Sequence, residues 1–202
     1  MKIPEGEFAA YIFDCDGTLA DTMPLHYRAW RAVLHEHEAD FPEALFYELG
    51  GMPTEKIVEL LNARHGYSMS PLETALKKEV LFLEMLAEIE PIEPVVAIVA
   101  EVSGRLPMAV ASGGNRHVVT RTLRALGLLE KFQTIVCAED CARGKPFPDP
   151  FLVAAERLGV DPAKCLVFED TLIGEEAARA AGMASVLVPP PARVAALGRW
   201  DS

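Results

Sequence analysis

The stretch Phe13-Asp14-Cys15-Asp16-Gly17-Thr18-Leu19-Ala20-Asp21 sets two aspartates two residues apart at the end of an apolar run, Ala9-Ala10-Tyr11-Ile12-Phe13. A surface loop would explain the acids, but not their place at the end of a buried strand. Three more apolar runs lead into polar groups. Ala111 is followed by Ser112-Gly113-Gly114-Asn115, the run 134–138 by a short connection to Arg143-Gly144-Lys145-Pro146, and the run 165–168 by Glu169-Asp170-Thr171. Each group has an ordinary structural use. Ser112 could cap the following helix, Lys145 could be a solvated lysine, Glu169 and Asp170 could start a helix, and Asp14 and Asp16 could sit in a turn. All four uses holding together is a much stronger demand than any one alone.

The combined chemistry is coherent. Asp14, Asp16, Glu169 and Asp170 repel one another unless a cation lies between them, and carboxylate oxygens suit a hard ion such as Mg²⁺. A phosphate dianion cannot approach a carboxylate nucleophile without such an ion. Lys145, the Ser112 hydroxyl and the Gly113 amide could hold the remaining phosphoryl oxygens, so the site would work by positioning and charge neutralisation. An ionised aspartate is a competent covalent nucleophile.

The elements that would position these groups are legible as an alternation. Short apolar runs at 8–13, 107–111, 134–138, 165–168 and 185–188 predict strands. Helical stretches at 116–127, 148–159 and 172–182 lie between them, each closed by a glycine, a common helix stop. Strand, helix, strand, helix implies an α/β fold, a Rossmann-like parallel sheet with crossover helices. Residues 22–92 differ, carrying three amphipathic helical patterns at 25–38, 55–66 and 72–90 with no convincing strand. The expectation is an α/β core of residues 1–20 and 93–202 with an inserted all-helical domain at 21–92, hinged near Asp21 and the prolines of 90–94. In an open parallel sheet ligands bind at the carboxyl ends of the strands, which is where Asp14 falls.

Composition bounds the function. The chain has 202 residues, 50% apolar and 24% charged, with net charge −11. That acidity disfavours general nucleic-acid binding and docking on anionic lipid, but not a small phosphorylated substrate met through a metal. No run reaches the length of a membrane span, and Met1-Lys2-Ile3-Pro4-Glu5-Gly6-Glu7-Phe8 lacks the apolar core of a signal peptide; the expectation is a cytoplasmic monomer with reduced cysteines. Cys137 and Cys141, spaced C-x3-C with no second pair, do not make a zinc site. Cys15 should point away from its flanking aspartates into packing.

The stretches DCDGTLADT, VASGGN, GKPFPDP and FEDTLIGEEAARAAG resemble, in order, the four motifs of the haloacid dehalogenase-like superfamily. The first has the form DxDGT, and the last carries Thr171 where serine is usual. The helical insert after the first motif is similar to that of the β-phosphoglucomutase-like branch. The resemblance implies Asp14 as a nucleophile forming an aspartyl-phosphate and Asp16 as the acid that protonates the leaving oxygen and then activates water. It implies Ser112 and Lys145 as phosphate ligands, with Thr18, His26, Gly113 and Asn115 also at the substrate. Mg²⁺ would be held by the Asp14 side chain, the Asp16 carbonyl and Asp170, with Glu169 a ligand directly or through water, and the insert would be a mobile cap.

Within that family the dehalogenase reaction is disfavoured, since it needs neither a metal nor the second aspartate. The stretch DTMPLHYRAW is similar to the cap entry of β-phosphoglucomutases, where a histidine at the position of His26 couples closure to catalysis; plain helix packing is its alternative use. The mutases also carry a cap arginine whose position aligns with Thr54. The Gly-x-Pro-Thr form at 51–54 and the length of the 112–128 segment look more like bacterial phosphatases of small sugar phosphates such as fructose 1-phosphate. The resemblance therefore implies a Mg²⁺-dependent sugar-phosphate phosphatase, with a sugar phosphomutase as the alternative. A catalytically silent binding protein is a third reading, opposed by the intact set Asp14, Asp16, Ser112, Lys145 and Asp170.

Overall fold

A computed structural model describes residues 1–50 and 52–190. Gly51, which opens the Gly-x-Pro-Thr stretch, lies outside the described residues. Five strands form one parallel sheet: β1 (Ala10–Phe13), β2 (Met108–Ala111), β3 (Thr134–Val136), β4 (Cys165–Glu169) and β5 (Ala184–Leu187), in the order β3-β2-β1-β4-β5. β1 is central, pairing Tyr11 with Met108 on one side and with Leu166 on the other. A strand paired on both edges and covered on both faces must be apolar throughout, and all four residues of β1 are buried.

Alternation along the strands feeds two cores. Tyr11, Phe13, Met108, Val110, Leu166 and Phe168 face α5 (Glu93–Val102) and α6 (Arg116–Ala125) through Val95, Val99, Val119 and Leu123. Ala10, Ile12, Ala109, Ala111 and Val167 face α7 (Asp149–Leu158) and α8 (Leu172–Ala180) through Phe151, Ala154, Ala155, Ala177 and Ala178. Small residues on that face let the helices approach closely. Phe13 and Phe168 stack across β1 and β4 with ring centroids 4.7 Å apart. The first strand is shorter than the apolar run 8–13 because Ala9 already bonds outside the ladder, to the Lys164 carbonyl.

The described residues fold as two compact units, one made of Met1–Asp21 together with residues 90–190, the other of Thr22–Ile89. The second holds α1 (Met23–His35), α2 (Glu43–Glu48), α3 (Thr54–His65) and α4 (Pro71–Glu84) around Trp30, Leu34, Phe41, Phe46, Val58 and Leu61. Two details depart from the sequence patterns. The pattern at 72–90 is not one helix: α4 stops at Glu84 and a short 3-10 turn, Leu86–Glu88, follows. The six-residue α2 has no counterpart among the predicted helices. In the first unit the two segments that border the insert run side by side. Asp21 donates its amide to the Glu90 carbonyl at 2.9 Å, and Ile92 donates to that of Leu19 at 3.0 Å. Among the described residues no helix is long and apolar enough to cross a membrane.

Candidate active site

The carboxyl ends of β1 and β4 place the acids. Asp14 follows Phe13, and its amide donates to the Phe168 carbonyl at 2.9 Å, so β1 and β4 stay in register up to the first aspartate. Beyond it the chain folds back: Leu19 and Ala20 donate to the Cys15 carbonyl, each at 3.0 Å. Gly17 enables this turn with φ of 83°, a left-handed value that costs glycine little. A Cβ there would stand 2.2 Å from Asp170 Oδ2, so the turn also rests directly on that carboxylate.

Lys145, from the loop after β3, donates Nζ to Asp14 Oδ1 at 2.6 Å and to Glu169 Oε2 at 2.6 Å. The lysine side chain is 9% exposed, that of Asp14 8% and that of Glu169 1%. Glu169 Oε1 accepts from the Asp170 amide at 3.2 Å, the Thr171 amide at 3.0 Å and the Thr171 hydroxyl at 2.7 Å. Gly174 permits this packing, since a Cβ there would lie 2.0 Å from Glu169 Cδ. Thr171 also caps α8 by accepting from the Gly174 amide at 3.1 Å. Asp14, Glu169 and Asp170 each offer a carboxylate oxygen, all within 4.8 Å of one another.

Lys145 therefore bridges two of three neighbouring acids. Burial pushes Asp14 up to about 7 against the pull of Lys145, and the charges of Glu169 and Asp16 add to the rise. Burial also pushes Asp170 well above the usual carboxylate range, with the charges of Asp14 and Glu169 added. Burial works the same way on Glu169, but the Lys145 charge and the bonds from Lys145 and Thr171 outweigh it and hold Glu169 low. Burial disfavours the charged lysine, yet Asp14 and Glu169 reverse that and hold Lys145 protonated. The unrelieved negative charge, presented by hard oxygen donors, fits a divalent cation of the Mg²⁺ class.

Several residues expected at a substrate have structural employment. The Thr18 hydroxyl, fully buried, donates to Asp170 Oδ1 at 3.1 Å and so orients an acid. Asn115 Oδ1 accepts from the Val118 amide at 2.9 Å and is the N-cap of α6. Ser112 does not cap that helix; its hydroxyl accepts from the Gly114 amide at 3.0 Å at the end of β2. A Cβ on Gly114 would lie 3.3 Å from Ser112 Oγ and 3.7 Å from Asp16 Oδ2, which puts the second aspartate beside the Ser112 loop. A Cβ on Gly113 would meet nothing within 4 Å, so its backbone is open. His26 lies in the helical unit on α1. Its Nδ1 is 2.8 Å from Lys78 Nζ, and its ring stacks on Phe82 with centroids 3.9 Å apart. Cys15 is fully buried in the apolar core, where burial pushes its thiol well above its usual range, so it is inert. Thr171, in sequence only a substitution for serine, proves to hold Glu169 as well as the helix start. Its signal is a threonine three residues before a helical glycine, a capping spacing.

A family model described as a haloacid dehalogenase-like hydrolase matches residues 8–182. The chain is 39% identical over 180 residues to fructose-1-phosphate phosphatase YqaB of Escherichia coli (strain K12), spanning 89% of this chain and 95% of that protein. Among solved structures, CbbY from Rhodobacter sphaeroides in complex with phosphate superposes with a TM-score of 0.83 at 26% identity, over 91% of this chain and 87% of that one. A β-phosphoglucomutase (pgmB) from Clostridium difficile superposes with a TM-score of 0.78 at 27% identity, over 89% and 84%.

Proposed function

This chain belongs to the haloacid dehalogenase-like hydrolases, and we propose that within them it is a Mg²⁺-dependent phosphatase of small sugar phosphates, fructose 1-phosphate among them, working through an aspartyl-phosphate. The observation that carries this reading is the Lys145 bridge between Asp14 and Glu169 with Asp170 alongside. It is a buried carboxylate poised beside a cation, with oxygen donors that would hold a second cation. The similarity to YqaB supports the sugar-phosphate class.

Asp14 attacks phosphorus through one carboxylate oxygen, and the phosphorus–oxygen bond to the sugar breaks. Asp16 gives its proton to the departing sugar oxygen. Asp16 then takes a proton from water as that water attacks the phosphorus, which releases inorganic phosphate and restores the Asp14 carboxylate. Lys145, the Ser112 hydroxyl and the Gly113 amide hold the other phosphoryl oxygens. Mg²⁺, held by Asp14, Asp170, Glu169 and the Asp16 carbonyl, would neutralise charge between carboxylate and phosphoryl group. The helical insert is the cap in this reading, selecting the leaving group.

The test is phosphate release from a panel of sugar and polyol monophosphates, with borohydride trapping of the acyl phosphate and identification of the reduced residue by mass spectrometry. Release from hexose monophosphates and label at Asp14 are expected. Turnover without label at Asp14 would discard the covalent mechanism, and absence of release from every monophosphate would discard the phosphatase reading.

A further inference from the structure

The loop that delivers Lys145 alternates outward and inward. Arg143 is outside with its side chain 56% exposed, Lys145 points in to Asp14 and Glu169, and Phe147 is outside again. A backbone bond from the Phe147 amide to the Gly144 carbonyl, 3.0 Å, closes the turn. Little packs around it on the Gly144 side, where an added Cβ would meet nothing within 4 Å. Pro146 and Pro148 fix φ inside the turn, but they do not set its tilt against the rest of the molecule.

The Arg143 guanidinium supplies that constraint. Its Nη2 donates to Asp149 Oδ1 at 3.0 Å and its Nε to Asp149 Oδ2 at 3.4 Å, a two-pronged grip. The same group lies 4.3 Å from the Phe147 ring centroid. Asp149 is the first residue of α7, which packs on β1, β2 and β3. One side chain thus ties both ends of the turn to a helix seated on the sheet. On the inner side, Lys145 Nζ lies 5.0 Å over the ring of Phe151, a fully buried residue of α7. The lysine is held between an outer clamp and an inner ring, both referenced to α7.

We propose that Arg143 is a positioning residue that acts through Lys145, fixing where the ammonium meets Asp14, Glu169 and the phosphoryl group. An exposed ion pair contributes little to stability, whereas a misplacement of about 1 Å at a reacting centre costs up to about 100-fold in rate. The two effects therefore separate. The kinetic part rests on the phosphatase reading above; the structural part does not.

Arg143→Ala should lower kcat by about 10–100-fold while Tm falls by no more than about 4 °C. Arg143→Lys keeps the charge but lacks the planar fork, and should recover part of the loss. In a Lys145→Ala background, Arg143→Ala should have no further effect on kcat. A crystal structure of Arg143→Ala should show Lys145 Nζ withdrawn from Asp14 or from Glu169. The same fold-loss in both backgrounds overturns the proposal, and so does a variant structure in which both lysine contacts are unchanged. If the wild-type protein releases no phosphate, the function is wrong, and the structure of Arg143→Ala alone then decides whether Arg143 positions Lys145.

Discussion

Lys145 Nζ lies 2.6 Å from Asp14 Oδ1, and both side chains are buried. Removing either partner has different consequences, because the lysine has a second acid. Asp14→Asn leaves Lys145 paired with Glu169. Lys145→Met leaves two buried carboxylates with no cation, a change that typically costs about 3–5 kcal/mol. Urea unfolding without metal should show Lys145→Met far less stable than Asp14→Asn, and Mg²⁺ should narrow the gap. Asp14→Asn should lose turnover, whereas Lys145→Met should lower it to a measurable residue. Equal stabilities would mean that the lysine bridge does not balance the acids.

The same crowding predicts a pH dependence of stability in the metal-free protein. Asp14 titrates at about 7 when folded, against about 3.9 in an unfolded chain. Between those values the folded state holds the extra proton, so stability falls as pH rises through the window. Glu169, held low, acts in the opposite sense at more acidic pH, its contribution disappearing as it protonates. Asp14→Asn should flatten the decline between about pH 4 and 7, measured as unfolding free energy in EDTA. An unchanged slope would remove Asp14 as its source.

Asp16→Asn should reduce turnover by about 10²–10⁴-fold, the usual range for losing a general acid–base. Substrates with good leaving groups, such as p-nitrophenyl phosphate, should lose less in the first step because they need less protonation. A drop of under about threefold for a sugar phosphate, well short of that range, would show that Asp16 is not the acid.

Gly17→Ala tests the proposed metal ligands through the backbone. Its Cβ would press on Asp170, and its φ of 83° is strained for alanine. The variant should need at least about tenfold more Mg²⁺ for half-maximal rate, the scale of supporting-shell effects on metal affinity. In the wild type, EDTA should abolish activity and Mg²⁺ restore it. Ca²⁺ should restore it poorly, given its looser coordination. Chelator-insensitive turnover would contradict the carboxylate cluster.

A phosphomutase must grip a second phosphate, and the start of α3 is the position to inspect. Thr54 opens that helix, and Lys56 is in an ion pair with Glu59 at 2.8 Å, so its charge is already matched. β-Glucose 1-phosphate should yield inorganic phosphate and no glucose 6-phosphate, and Thr54→Arg should tighten a sugar bisphosphate more than a monophosphate. Isomerisation outpacing hydrolysis would give the mutase reading the advantage.

The sheet was legible because strand runs are local: the apolar run ending at Phe13 and the runs before Ser112 and Glu169 each announce a buried strand with a polar exit. Asp14, Glu169 and Asp170 could be read for the same reason. Thr18 could not, because its partner Asp170 is 152 positions away and only the folded chain joins them. The cap of α6 was read at Ser112, but it falls three residues later, on Asn115. The six-residue α2 is too short to show a period, and the stop after Glu84 is hidden by apolar residues that continue through Leu86 and Ile89.

The paired segments Leu19–Asp21 and Glu90–Ile92 make the α/β unit indifferent to what is inserted between them. Their cross-links, Asp21 to Glu90 and Ile92 to Leu19, have the form of a hairpin neck. To the sheet, Thr22–Ile89 is simply the loop of that hairpin. Closing a loop of that length costs only about 2–3 kcal/mol more than closing a four-residue turn. The neck can therefore carry a large insert, a small one or a bare turn with nearly the same core. Evolution or a protein engineer could exchange the insert as a cassette while leaving Asp14, Lys145 and Asp170 where they are.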